Sequence, residues 1–300
     1  MAFQDQTERE KKLSFLVLMV KNSAKFRQLD DTIVEKELRR RFNHHPSLWK
    51  LVLHKDEKHL MRNERVKKLV RGVRASLFPL FSLYYGKQAK KKYDLLKKLE
   101  RHLDDENKVL EFHRELLNCH TSSRERAAFY EELYKDIFSI TGKPQSLLDL
   151  GSGLNPVSLP FMHLENVKYT ASDFSQKECD FLQSYFDIVR GKYHIDGKTI
   201  CLDLLDDKDV EKLRQLPAVD VCFLFKVVDL LDRKRNKRSE KVLNAVNAQF
   251  IAASFSTRTI SGEKMDRPTR KGFLLMLQRL GYKYNIIEKQ NELFYVIKKS

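Results

Sequence analysis

No apolar stretch in this sequence approaches the roughly 18 residues that a membrane-spanning helix needs. The strongest one near the start, Leu13 to Val20, is far shorter. It is also followed by no small-residue cleavage site, which argues against a secretory signal peptide. Cysteine is scarce: Cys119, Cys179, Cys201 and Cys222 form no C-x-x-C pair and have no histidine at zinc-ligand spacing. A structural zinc and a disulfide framework are therefore disfavoured, no metal site is expected, and reduced thiols in the cytoplasm are the expectation. Internal repeats are absent, and the only compositionally biased tract is the basic cluster Arg233–Arg238.

Positive charge, by contrast, is abundant. The 300 residues carry 57 Lys and Arg against 41 Asp and Glu, a net of +16, while the 42% hydrophobic share is ordinary for a globular chain. Residues 1–112 hold 27 of the basic and 16 of the acidic residues, net +11, leaving +5 for residues 113–300. A basic N-terminal third suits a polyanion, although charged helical faces are often no more than solvated surface. The candidate contacts are Arg39, Arg40 and Arg41; Lys67, Lys68, Arg71 and Arg74; and Lys90, Lys91 and Lys92. Phe78, Phe81, Tyr84 and Tyr85 lie among the last groups, placed either to stack on unpaired bases or to fill a core.

The hydrophobic period divides the chain in two. Leu13, Leu16, Val17 and Val20 fall at helical spacing, as do Ile33, Val34 and Leu38, and again Val66, Leu69, Val70 and Val73. Pro46, Pro79 and Gly86 are expected to punctuate these helices, the last of which is Lys90–Leu103. From about residue 143, short β-rich runs take over at 146–150, 168–172, 199–202, 219–225, 250–255 and 293–298. Helical stretches at 177–190, 238–248 and 269–280 separate them, which predicts an α/β domain on a mostly parallel sheet. The pair 284–288 and 293–298, joined through Gln290-Asn291, reads as a hairpin and predicts an antiparallel edge. The expected division is a helical domain over 1–112 and an α/β domain over 113–300.

The first strand runs into Asp149-Leu150-Gly151-Ser152-Gly153-Leu154-Asn155-Pro156. Gly151 and Gly153 allow a sharp turn and a close backbone approach to a ligand. A dinucleotide fold would want a third glycine where Pro156 stands, and Asp149 is out of place beside a pyrophosphate. Asp149 suits a ligand with a cationic end, such as the amino-acid portion of S-adenosylmethionine. Asp173 ends the second strand, where a carboxylate can accept both ribose hydroxyls, and Asp203 follows the third, within reach of an adenine amine. Each alone reads as a turn or N-cap aspartate; three at successive strand ends point to an adenosyl pocket. After the fourth strand stands Phe225-Lys226-Val227-Val228, in place of the Asn/Asp-Pro-Pro-aromatic tetrad of amine methyltransferases, and Cys222 lies inside the strand rather than beside a proline. Both absences favour a nucleophile that needs neither deprotonation nor covalent activation, such as guanine N7. Lys226 is either a contact to that base or its phosphate, or a lysine that ends a strand.

The run His120-Thr121-Ser122-Ser123-Arg124-Glu125-Arg126, the turn Gly153-Leu154-Asn155-Pro156, Leu224-Phe225-Lys226, Ser254-Phe255-Ser256-Thr257-Arg258-Thr259 and Asn291-Glu292-Leu293 resemble the aminoglycoside-resistance 16S rRNA (guanine-N7) methyltransferases. The resemblance covers roughly residues 110–300, with a looser echo at Lys25-Phe26-Arg27. It implies a Rossmann-like, seven-stranded class I methyltransferase sheet preceded by an all-helical rRNA-binding domain. The implied cofactor is S-adenosylmethionine, and the implied target is N7 of a decoding-site guanine on the small ribosomal subunit. Carried over by position, Arg126 pairs with the methionine carboxylate, Gly151 and Gly153 line the cofactor, and Asn155 and Pro156 shape the loop beneath the sulfonium. Asp173 takes the ribose and Asp203 the adenine side, while Lys226, Phe255 and Arg258 face the target nucleotide, with core packing an equal reading for Phe255. The chain departs from the family in its longer Lys-rich N-terminal third and in the segment after Gly262. A monomer acting in the cytoplasm is expected. A catalytically silent ribosome-assembly factor, or a methyltransferase for another RNA, a small molecule or a protein, is the competing reading.

Overall fold

The computed structural model describes residues 2–299 apart from 25, 28, 54, 85–87, 233–237, 259–262, 264 and 266–267, and not the side chains of 2–5, 79–84 and 88–90. Most of the basic cluster at 233–238, Lys25, Gly262 and the side chains of Phe81, Tyr84, Tyr85 and Lys90 thus lie outside the described residues. The backbone forms two compact units, Met1–Ala89 and Lys90–Ser300.

The first unit is helical: α1 (Ala2–Lys21), α2 (Asp31–His44), α3 (Ser47–Leu53), α4 (Glu57–Arg62) and α5 (Glu64–Tyr84). Asp30 caps α2 by accepting from the Thr32 amide at 2.8 Å, and Asp56 caps α4 through the His59 amide at 2.8 Å. The expected faces are the buried ones, with Leu13, Leu16, Val17 and Val20 of α1, Ile33, Val34 and Leu38 of α2, and Val66, Leu69, Val70 and Val73 of α5. Pro79 does not end α5, contrary to expectation. An internal proline costs about 3 kcal/mol, and the apolar face that continues through Val73 and Leu77 offsets it by burial.

The boundary falls within the first turn of α6 (Gln88–Arg101), and the second unit continues with α7 (Glu106–Leu117), α8 (Thr121–Arg126) and α9 (Tyr130–Thr141). The division therefore falls between Ala89 and Lys90 rather than at residue 112. The reason is packing: Leu95, Leu99, Val109 and Leu116 share one buried cluster with Leu147, Tyr169, Val221 and Phe223 of the sheet. A net of +10, 20 basic against 10 acidic residues, lies in residues 1–89.

The sheet comprises β1 (Ser146–Leu150), β2 (Lys168–Asp173), β3 (Asp196–Cys201), β4 (Val219–Phe225), β5 (Ala248–Ser256), β6 (Lys283–Lys289) and β7 (Glu292–Lys298), in the order β3-β2-β1-β4-β5-β7-β6. The first five are parallel, and β7 runs antiparallel to both β5 and β6, as the hairpin signal predicted. Helices α10 (Gln176–Tyr193), α11 (Asp207–Arg214), α12 (Val228–Leu231), α13 (Arg238–Ala245) and α14 (Lys271–Arg279) complete the unit. The period-2 alternation of a strand fills both faces. Val221, Phe223 and Phe225 of β4 join the cluster that includes α10, while Cys222 and Leu224 join the one that includes α13. Strand order reverses between β1 and β4, so a crevice opens at their carboxyl ends, the usual ligand position in such sheets.

Candidate active site

The turn that leaves β1 is built for close approach. Gly151 and Gly153 adopt φ of 63° and 52°, in the left-handed region that costs other residues about 1–2 kcal/mol. A Cβ on Gly151 would stand 2.9 Å from Val227 Cγ2, and one on Gly153 would stand 3.2 Å from the His120 ring. The Ser152 amide donates to the Ser172 carbonyl at 2.9 Å, which pins the turn to the end of β2. Beneath it, Asp149 Oδ2 accepts from Asn155 Nδ2 and from the Tyr169 hydroxyl, each at 2.8 Å. Asn155 in turn accepts from Tyr130 at 3.0 Å, and Pro156 follows in a buried 3-10 turn, Asn155–Met162. Asp149 therefore braces the loop from below, and burial raises its pKa to about 6 despite those donors.

Asp173 ends β2 fully buried. Its Oδ1 accepts from the Ser175 amide at 3.1 Å, while Oδ2 and the hydroxyls of Ser152, Ser172 and Ser175 are buried without a hydrogen-bond partner. Burial, then the neighbouring Glu178 carboxylate, pushes its pKa up to about 7 against the pull of the Ser175 and Gly153 amides and of Lys92. Buried polar groups left unpaired are costly, so this cluster is shaped for a ligand that brings hydrogen bonds. Asp203 lies two residues past β3, half-buried, where its Oδ1 accepts from the Leu205 amide at 3.0 Å and its own amide donates to Asp209 at 3.0 Å.

The end of β4 carries a charge network of which only two members were expected. Lys226 sits at φ 59°, and its amide donates to Ser254 Oγ at 2.9 Å and to the Ser254 carbonyl at 3.2 Å. Its ammonium bonds Glu125 and lies 3.5 Å from Glu292. Glu292, 1% exposed, accepts from Arg126 Nε at 3.0 Å and Nη2 at 2.9 Å and from the Ser254 hydroxyl. The Arg126 guanidinium is thus committed to a protein carboxylate, and it also lies 4.9 Å from the Phe225 ring. Burial, the largest influence, pulls its pKa down, but the Glu292 carboxylate and the Tyr130 hydroxyl together outweigh it and raise the value. Its field adds to burial in pushing His120 down to about 3, so that the imidazole against Gly153 is neutral. Glu292 carried no role in the sequence reading, although a glutamate that opens an apolar strand straight after a turn was a visible signal.

Of the target-side residues, Phe255 takes the core-packing reading and Arg258 stays exposed. Phe255 is 1% exposed and packs edge-on against Phe273 and Tyr295, at 4.8 and 5.6 Å. The alternation of β5 sends it with Ile251 and Ala253 into the core. Arg258 is exposed, as a target contact requires, and donates to Asn291 Oδ1 at 2.6 Å. The missed neighbour is Arg270, which pairs with Asp229 at 2.8 Å and donates to the carbonyls of Ser256 at 3.2 Å and Pro268 at 3.1 Å.

The basic residues also sort themselves. Lys92 is buried, paired with Glu178 and set 4.5 Å from the Phe181 ring, so it is a core cation beside Asp173 and not an RNA contact. Arg74 donates to the Met19 and Val20 carbonyls at 2.8 and 2.9 Å and closes the end of α1. Arg41 is spent on Glu37 at 3.0 Å and the Gly72 carbonyl at 2.7 Å. Arg39 and Arg40 pair with Glu35 and Glu37 at 2.8 and 2.6 Å, Lys67 with Glu64 at 2.8 Å, and Lys91 with Glu115 at 2.8 Å. Lys68 and Arg71 are the most open, the latter 70% exposed and 3.6 Å from Glu64. Among the described residues no group of His, Cys, Asp or Glu is placed to hold a metal, and no helix is long and apolar enough to cross a membrane.

Comparison with known proteins bears on this crevice. The model of a ribosomal RNA methyltransferase family, FmrO, matches residues 51–296. A 16S rRNA (guanine(1405)-N(7))-methyltransferase of Micromonospora rosea is 30% identical over 210 residues, 67% of this chain and 73% of that protein. One of the same name from Proteus mirabilis is 27% identical over 245 residues, 77% of this chain and 84% of that protein. Among solved structures, the 16S rRNA methyltransferase RmtF in complex with S-adenosyl-L-homocysteine aligns with a TM-score of 0.69 at 19% identity, covering 96% of this chain and 98% of that one. The 16S rRNA methylase RmtB gives 0.63 at 22% identity, with the same coverage of both chains. At such identity these two likenesses speak for the fold.

Proposed function

Because this chain belongs to the FmrO family of ribosomal RNA methyltransferases, we propose that it transfers a methyl group from S-adenosylmethionine to N7 of a guanine in the decoding site of 16S rRNA. Aminoglycoside resistance is the consequence we infer, with the small ribosomal subunit as substrate and a monomer in the cytoplasm as the working form. The observation that carries the reading is the buried carboxylate of Asp173, unpartnered at Oδ2 and drawn on by the Gly153 amide of the glycine turn. An adenosyl ligand fits it: ribose hydroxyls are donors for Asp173, and the Ser152 and Ser175 hydroxyls, also unpartnered, are free to answer its polar groups. Asp203 flanks the adenine side, and Arg126, fixed by Glu292, sets positive charge on the methionine side.

The cofactor supplies an electrophilic methyl on a sulfonium, and guanine N7 offers a lone pair that is free at neutral pH, so no general base is required. The chain's task is then positioning and exclusion of water. Asp149, Asn155 and Tyr169 hold the loop beneath the cofactor rigid. Lys226, poised between Glu125 and Glu292, and the exposed Arg258, two residues past β5, are the groups for the guanine and its phosphate. Lys68 and Arg71 on the basic helical unit are the contacts we assign to rRNA phosphates.

The test is transfer of labelled methyl from S-adenosylmethionine to isolated small ribosomal subunits, mapped by strand scission at 7-methylguanine. One scission in the decoding site is the expected result. Cofactor binding without label in the subunit would move the substrate to another RNA or leave a silent scaffold.

A further inference from the structure

A cleft of about 420 Å³ lies between α1, α2 and α3 of the helical unit. That is within the few-hundred-Å³ range of small-ligand sites. Its wall residues all precede residue 51, where the match to the family model begins. Its floor is aromatic. Trp49, the single tryptophan of the sequence, stacks on buried Phe42 with ring centroids 4.0 Å apart and an 18° tilt. Arg9, exposed on α1, sits with its guanidinium 5.5 Å from the Trp49 ring. The side amides of Gln6 and Asn43 and the ion pair of Arg39 with Glu10, at 2.5 Å, complete the wall.

We propose that this cleft receives one unpaired base of an RNA strand, stacked on Trp49, with its phosphate held by Arg9. The proposal rests on the RNA-methyltransferase reading and adds a contact which that reading does not contain. A flat ring pinned from behind by Phe42 is a preorganised stacking surface, and stacking tolerates any base because every base has a π-face. A guanidinium already layered near the indole marks the position that a planar group occupies. An entering base takes that position and leaves Arg9 at the mouth, beside the strand. Gln6 and Asn43 each offer a donor and an acceptor to a base edge. A duplex, whose bases are stacked and paired internally, cannot reach the ring. The net +10 of residues 1–89 favours a polyanion over a neutral metabolite or an acidic-residue-poor peptide.

Trp49 also supplies the readout, since all tryptophan emission of the full chain arises in this cleft. The experiment titrates the whole protein with a single-stranded RNA of roughly ten nucleotides and with the duplex of the same sequence. Saturable quenching of the emission by about half with the single strand, and little with the duplex, is expected. Arg9→Glu, on an exposed side chain, should weaken single-strand binding about ten-fold or more, and Trp49→Ala by a similar factor in an anisotropy assay with labelled RNA. Trp49→Phe, which keeps a ring on Phe42, should stay within about three-fold of the parent and guards against misreading a folding defect. Equal quenching by duplex, no quenching by single strand, or unchanged affinity in both Arg9→Glu and Trp49→Ala would overturn the proposal. Methyl transfer by the parent protein is measured alongside: transfer without quenching removes this contact alone, whereas quenching without transfer removes the enzymatic reading and leaves the base site standing.

Discussion

Asp173 and Glu292 are both buried carboxylates, yet they stand in opposite electrostatic situations. Asp173 is raised to about 7 by burial and by Glu178; its value in an unfolded chain is near 4. Between about pH 4 and pH 7 the folded state therefore keeps a proton that the unfolded state has lost, and the stability of the ligand-free protein should fall as pH rises through that window. Each group displaced in this way contributes a slope of about 1.4 kcal/mol per pH unit; Asp149, raised to about 6, adds its own between pH 4 and 6. Cofactor affinity should move the other way, climbing from pH 5.5 to pH 8 as Asp173 ionises to accept the ribose hydroxyls. Isothermal titration across that range checks it, and a flat profile would remove Asp173 from the pocket. Asp173→Ala should abolish cofactor binding with RNA affinity intact. Glu292 is compensated by Arg126 instead, so Glu292→Gln strands a buried guanidinium and should cost about 3–5 kcal/mol in chemical denaturation. A loss below about 1 kcal/mol would mean that Arg126 finds another partner.

Among the elements, the β1 turn and the basic helices carry the clearest tests. Gly151→Ala combines a positive φ with a Cβ only 2.9 Å from Val227 Cγ2, and should lower both thermal stability and cofactor affinity, by about 1–2 kcal/mol from the backbone alone. Gly142, at φ 76° but with open space around it, is the control: its alanine variant should lose stability and keep the cofactor. On α5, Arg71→Glu should flatten the salt dependence of RNA binding, whereas Arg74→Ala should lower the stability of α1 and leave the salt slope alone, because Arg74 is spent on carbonyls. The sequence made both look alike, since helical spacing gives a face but not the partner waiting there. Strands were legible for the opposite reason: two-sided burial makes continuous apolar runs such as 219–225, and a glycine turn with acidic strand ends marked the crevice. For Phe255 the sequence left target contact and core packing equally open, because its face depends on the register of β5. The partners of Arg126 and Lys92 escaped because Glu292 and Glu178 are distant in sequence, and pairing at 166 and 86 residues of separation leaves no local pattern.

At the scale of the whole molecule, charge and chemistry occupy different units. With +10 of the +16 in residues 1–89, methyl transfer to ribosomal subunits should fall steeply between about 50 and 200 mM salt, while binding of S-adenosylmethionine should barely change. Parallel losses of both would mean that salt acts on the crevice and not on the docking of RNA. The placement of β7 between β5 and β6 has a temporal meaning as well. Arg126 is in place on α8 before the sheet begins, but its counter-charge arrives with Glu292, after every other strand has been made. Without β7 in place Arg126 lacks its carboxylate partner and Lys226 keeps only Glu125 of its two, so this strand completes the charge balance of the site. Recovery of cofactor binding during refolding should therefore coincide with the docking of β7.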